Sequence, residues 1–125
     1  MDERKLKEIK YLKYLRAPPW SRITCRLCSR RESDYVVYVK MKEHRKKGGV
    51  KVCGLLFEYD RELPVGTHVE LEIVLSEDSE RFICYGRIAE VRKPESEGSY
   101  RTKFDFMASS DEEANMIARF AGKFH

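Results

Sequence analysis

Val69-Glu70-Leu71-Glu72-Ile73-Val74-Leu75 decides the fold class. Val69, Leu71, Ile73 and Leu75 fall on one side of an extended chain and Glu70, Glu72 and Val74 on the other. That is the period-two alternation of a half-buried strand. Upstream of it the turn Leu63-Pro64-Val65-Gly66 sets its start, and a polar turn over residues 76–80 ends it. Beyond follow Phe82-Ile83-Cys84-Tyr85-Gly86-Arg87-Ile88, a turn over 94–98, and Tyr100-Arg101-Thr102-Lys103-Phe104-Asp105-Phe106. In the last of these, Tyr100, Thr102, Phe104 and Phe106 share one face, and Gly86 marks a bend or bulge of the kind a barrel needs.

Working toward the N-terminus, residues 23–28, Tyr35-Val36-Val37-Tyr38-Val39 and residues 50–57 are short runs rich in β-branched and aromatic residues. A charged turn, Lys42-Glu43-His44-Arg45-Lys46-Lys47-Gly48-Gly49, separates the last two. At the C-terminus Ser110 and Glu113 form a capping box, with Asp111 and Glu112 at the positive end of the helix dipole. Ala114, Ile117, Ala118, Ala121 and Phe124 then recur at helical spacing. Residues 3–16 read as a basic helix, because Leu6, Ile9 and Leu12 recur every three residues before Pro18-Pro19 ends the run. Laid against the domain or against another subunit, it offers a route to homo-oligomers; lying on a membrane surface is the less favoured alternative.

These elements predict a mainly β fold, a small six-stranded antiparallel β-barrel with an N-terminal and a C-terminal helix. Residues 1–19 form the basic helix and proline linker, 20–108 the barrel, and 109–125 the helix packed on it.

The 125 residues are 37% charged and carry a net +4, which conceals a division. Residues 1–51 carry +10 and residues 52–125 carry −6. A basic N-terminal half points to an anionic partner. No apolar run approaches the roughly 18 residues of a membrane span, and residues 1–6 lack the apolar core of a secretory signal. A cytoplasmic setting with reduced Cys25, Cys28, Cys53 and Cys84 is expected. Cys25-Arg26-Leu27-Cys28 lacks the second close pair that a structural zinc site needs, and no βαβ setting follows it for redox chemistry, so no metal or cofactor is expected. His44, His68 and His125 have no nucleophile context, there is no glycine-rich phosphate loop, and no catalytic activity is expected.

The arginines carry more information. Arg22, Arg26 and Arg30 are spaced by four, giving two overlapping R-x-x-x-R patterns, with Trp20 before them and Arg31 after. On a strand, residues four apart share a face, so two guanidiniums can meet one phosphate-bearing ligand. An ordinary solvated basic edge has the same pattern.

In this context the chain resembles the PilZ family of small bacterial β-barrels that bind cyclic di-GMP. The resemblance rests on the arginine pair, Leu55-Leu56-Phe57-Glu58, Leu63-Pro64-Val65-Gly66-Thr67, Val69-Glu70-Leu71-Glu72-Ile73, Cys84-Tyr85-Gly86-Arg87-Ile88 and Phe104-Asp105-Phe106, in that order, over residues 20–124. It implies a cytoplasmic signalling domain in which Arg22 and Arg26, with Arg30 as the other choice of pair, clamp the dinucleotide and the output is a protein effector. The family's second motif, D/N-x-S-x-x-G, aligns on Gly54. It then has Gly49 in place of Asp or Asn and Lys51 in place of Ser. Two lost hydrogen bonds of this kind weaken binding by roughly 1–3 kcal/mol. The alternative is therefore a PilZ-like adaptor that does not bind cyclic di-GMP. A second alternative is nucleic-acid binding with Trp20, Tyr35 and Tyr38 stacking on bases, which the acidic residues at 70–80 disfavour.

Overall fold

The computed structural model describes residues 12–41, 50–75, 81–93 and 98–123. Among these residues lie β1 (Leu12–Arg16), β2 (Arg22–Cys28), β3 (Tyr35–Val36), β4 (Val39–Met41), β5 (Val50–Tyr59), β6 (His68–Val74), β7 (Arg81–Arg92), β8 (Tyr100–Ala108) and the helix α1 (Asp111–Lys123). The strands form one mixed sheet in the order β1-β5-β8-β7-β6-β2, with β3 paired to β8 and β4 to β5 off that path. All pairs are antiparallel except β1 with β5.

The sheet is open rather than the expected closed six-stranded antiparallel barrel, since β1 and β2 are the two ends of the ladder. It is nevertheless rolled, for a reason of reach. Only residues 17–21 connect the two end strands. Five interstrand steps laid flat span about 24 Å at about 4.8 Å each. The chain from Arg16 to Arg22 reaches about 21 Å at full extension. It is also shortened by a turn, in which Ser21 N and Oγ both donate to Pro18 O at 3.0 and 2.6 Å. The connection therefore acts as a clasp that draws the two edges toward each other. Across the seam Cys25 N of β2 donates to Tyr59 Oη of β5 at 3.4 Å.

The roll encloses the core. Val69, Leu71 and Ile73 of β6 are fully buried as their alternation predicts, facing Phe104 and Phe106 of β8 and Ile88 of β7 within one cluster. Thr102 completes the β8 face, its hydroxyl donating to Tyr100 O at 3.2 Å. At the turn before β6, Gly66 has φ 88° and Thr67 N donates to Pro64 O at 3.2 Å. A type II turn requires that conformation at its third position.

The helix α1 lies over the inner side of the roll, where Ile117, Phe120 and Ala121 join the core. Phe120 meets Phe82 of β7 with centroids 5.3 Å apart. Phe120 takes the place expected for Ala118, which is exposed. Phe124 lies outside the described residues. Glu113 N donates to Ser110 Oγ at 3.2 Å, as a capping box requires. The return bond goes to Ser109 instead, whose N and Oγ both donate to Glu113 Oε1 at 3.3 and 2.6 Å.

Three further expectations need correction. The segment 12–16, read as the end of a helix, is the parallel strand β1. Its backbone groups find partners on β5, Leu15 is buried, and Tyr14 Oη donates to Asp105 Oδ1 at 2.5 Å. A short helix without a docking face is marginal, so pairing with the sheet wins. Residues 3–11 of that expected helix, with any role in oligomers, lie outside the described residues, as do the turns at 42–49, 76–80 and 94–97. The run 35–39 is two strands, because the chain passes from β8 to β5 between Val36 and Val39. Gly86 is not the bulge, which falls between Ile88 and Glu90. A Cβ at Gly86 would stand 2.0 Å from Asp105 O and 2.5 Å from the Phe104 ring, so the glycine is there for close packing. Among the described residues no helix is long and apolar enough to cross a membrane.

Candidate functional site

The two arginines of the R-x-x-x-R pattern stand on the edge strand β2, and both point away from the core, as their spacing predicts. Arg22 is exposed opposite Val74 and forms no ion pair among the described residues. Arg26 is opposite Glu70, and its Nη2 lies 2.8 Å from Glu70 Oε2 with the arginine side chain 73% exposed. Arg30 is exposed in the segment after β2.

Lys51 and Gly54 are on β5, separated from β2 along the ladder by β8, β7 and β6. Lys51 is opposite Leu12 of β1 and Lys40 of β4. Gly54 is buried between Tyr14 of β1 and Asp105 of β8. A Cβ there would meet Phe104 O at 1.9 Å and Tyr14 Cε1 at 2.8 Å. Its lack of a side chain serves this contact between strands. Burial, reinforced by the Asp105 carboxylate, pushes the Tyr14 hydroxyl well above its usual range. Gly49 lies outside the described residues. Arg22 and Arg26 are thus brought together on one face, and Lys51 and Gly54 are not brought to them along the ladder.

The densest polar constellation is elsewhere, and the sequence reading did not find it. Asp34, its side chain 2% exposed, accepts from Arg31 Nε at 2.8 Å, Arg31 N at 3.1 Å and Tyr85 Oη at 2.7 Å. Arg31 also holds both Glu113 carboxylate oxygens through Nη1, at 2.8 and 2.9 Å, and its guanidinium carbon sits 3.7 Å above the Tyr85 ring. His68 Nδ1 is 2.9 Å from Tyr85 Oη. Burial raises the Asp34 carboxyl, but the Tyr85 hydroxyl and the Arg31 donors outweigh it and hold the group below its ordinary value. Asp34 is then ionised and takes the single Tyr85 proton, which assigns the His68 proton to Nδ1, donating to Tyr85. Burial and that carboxylate push Tyr85 up to about 12. The cluster joins the segment after β2 to β6, β7 and the start of α1. Only Glu113 had a local signal, its capping box; Asp34, His68 and Tyr85 meet through topology alone.

The cysteines offer no metal centre. Cys25 and Cys28 stand three apart on β2 and so project to opposite faces. All four thiols are free. Burial pushes Cys84 up to about 12 and, partly offset by Tyr59, Cys25 up to about 11. Among the described residues no group of three or more His, Cys, Asp or Glu side chains could hold a metal ion.

At the seam of the roll lies a cavity of about 380 Å³, between the clasp, the start of β2, β5 and β8. Ile23, Leu56 and Phe57 give it an apolar lining, and Arg16, Glu58 and Arg101 bring charge to it. A smaller space of about 180 Å³ shares Leu56 and Arg101 with it and adds Glu90, Arg92 and Lys103. Trp20, 74% exposed, is the neighbour of two lining residues, Pro19 and Ser21.

No protein-family model, curated protein or solved structure matches the chain.

Proposed function

We propose that the chain is a PilZ-like adaptor of bacterial signalling, acting in the cytoplasm by binding a protein effector and independent of cyclic di-GMP. The observation that carries this reading is Gly54. The space beside the glycine that aligns with the family's nucleotide motif is filled by the chain's own Phe104 carbonyl and Tyr14 ring. The neighbouring substitutions, Gly49 and Lys51, remove the short polar side chains that the family uses for its ligand. Catalysis has no part in this reading: the network of ionisable groups around the buried Asp34 ties the segment after β2 to β7 and α1.

The second reading is a cyclic di-GMP receptor, and one observation favours it. Arg22 and Arg26 stand on the same exposed face, Arg22 free of any ion pair among the described residues and Arg26 held only by an exposed one. Exposed pairs of this kind exchange readily for a phosphate. Calorimetric titration of the full chain with cyclic di-GMP separates the two. The adaptor reading expects no saturable heat at high micromolar ligand. Micromolar binding lost in Arg26→Ala would replace it with the receptor reading.

A further inference from the structure

We propose that the cavity at the seam of the rolled sheet is a binding site for a small anion with an aromatic or apolar body, of the chemical class of an aryl phosphate. The first support is volume and lining. About 380 Å³ falls in the range of small-ligand sites, and Ile23, Leu56 and Phe57 provide the apolar contact such a body needs. The second is charge. Arg16 arrives from β1 and Arg101 from β8, and neither forms an ion pair among the described residues.

Arg22 shares this lack of a partner among the described residues, and four other arginines of the sheet do not. Arg26, Arg81, Arg87 and Arg92 each have a carboxylate oxygen within 3.5 Å. Glu58 lines the same cavity and stands opposite Arg101 in the ladder, yet it pairs with neither guanidinium. Two cations against one anion leave the cavity with a net positive charge. A guanidinium presents its donors in a planar fork that matches a phosphate or carboxylate. In the adjoining space Arg92 and Lys103 both lean on Glu90, at 2.6 and 3.3 Å, so the positive field extends past Arg101.

The site shares no residue with Arg22, Arg26, Lys51 or Gly54, so it stands or falls apart from either reading of the function. A reporter stands beside it in the chain. Trp20 is the one tryptophan of the sequence and is flanked by Pro19 and Ser21, both of which line the cavity.

The test is titration of the full chain with 1-naphthyl phosphate by calorimetry and with phenyl phosphate through Trp20 emission. Inorganic phosphate and 1-naphthol, each carrying half of the chemistry, are the comparison ligands. Saturable binding of the aryl phosphates, at least about tenfold tighter than either comparison ligand, is expected. Arg16→Ala and Arg101→Ala should each weaken it by about tenfold or more, the loss of one charge-assisted contact. Arg119→Ala, the same change of charge on α1, should leave it unchanged. Both cavity arginines are exposed, so their variants keep the fold, which circular dichroism checks. No saturable signal at millimolar ligand overturns the proposal. So does equal affinity for 1-naphthol, or a loss in Arg119→Ala as large as in the cavity variants.

Discussion

The two approaches to β2 each carry two arginines and have opposite chemistry. Before the strand, residues 16–22 bring Arg16, Trp20 and Arg22 to the surface, with no ion pair for either arginine among the described residues. After it, residues 29–34 bring in Arg31 and Asp34, whose charged groups meet partners from β7 and α1 within 3 Å. Arg31 still keeps one buried Nη2 without a hydrogen-bond partner. Arginines that look alike along the chain therefore do different work. One side fastens a segment and a helix to the sheet, and the other keeps its cations available. What decides is whether a carboxylate stands within reach, as Asp34 from the same segment and Glu113 from α1 do for Arg31, and the spacing of the arginines themselves plays no part.

That difference can be broken by experiment, most forcefully on the fastened side. Asp34→Ala leaves Arg31 and Tyr85 without their shared acceptor and should lower stability by about 3 kcal/mol in urea unfolding. Arg16→Ala, on the open side, should stay within about 0.5 kcal/mol of the parent. Equal losses would abolish the distinction. Tyr85→Phe keeps the ring under Arg31 but removes the hydroxyl between Asp34 and His68, and a loss of about 1–2 kcal/mol is expected by the same measurement.

A weaker effect comes from acid. The carboxyls of Asp34 and Glu113 are both held below their ordinary values. For each, burial works the other way and is outweighed, by Tyr85 and Arg31 at Asp34 and by Ser109 and Arg31 at Glu113. Such groups contribute stability above the ordinary carboxylate range, near pH 4, and lose it as pH falls through their lowered folded values. Urea midpoints measured from pH 7 downward should fall, and fall less steeply in Asp34→Asn. An unchanged slope would mean that Asp34 is not a principal acid-sensitive group. The smallest effect is expected at Arg26→Ala, which removes an exposed pair with Glu70 and should leave the urea midpoint where it is.

Much of the fold can be read from local pattern. The alternation at Val69-Glu70-Leu71-Glu72-Ile73 places β6 and its buried face correctly, and Ser110 with Glu113 places the start of α1. Local pattern does not tell how strands meet. Leu12 satisfies a helical step with Leu6 and Ile9, while the segment Leu12–Arg16 pairs with residues some forty positions away. The same limit hides the cluster at Asp34, whose partners His68, Tyr85 and Glu113 come from three other elements. It also hides the open seam. Strand periodicity fixes which side chains face inward, but whether a sheet closes depends on register and connections far apart in sequence. Of the candidate residues, Arg22 and Arg26 could be placed on one face from spacing alone. The contact that fills Gly54 could not, because Tyr14 reaches it from a strand that the sequence pattern does not reveal.

The clasp at residues 17–21 has a consequence for the integrity of the molecule. A single proteolytic cut there would leave every ladder hydrogen bond intact while removing the tether that curls the sheet. The seam would then be held by the enclosed core and the bond from Cys25 N to Tyr59 Oη, and on opening it would offer the margins β1 and β2 to another chain. Those few residues, two of them prolines, thus stand between a self-contained unit and one prone to polymerise edge to edge.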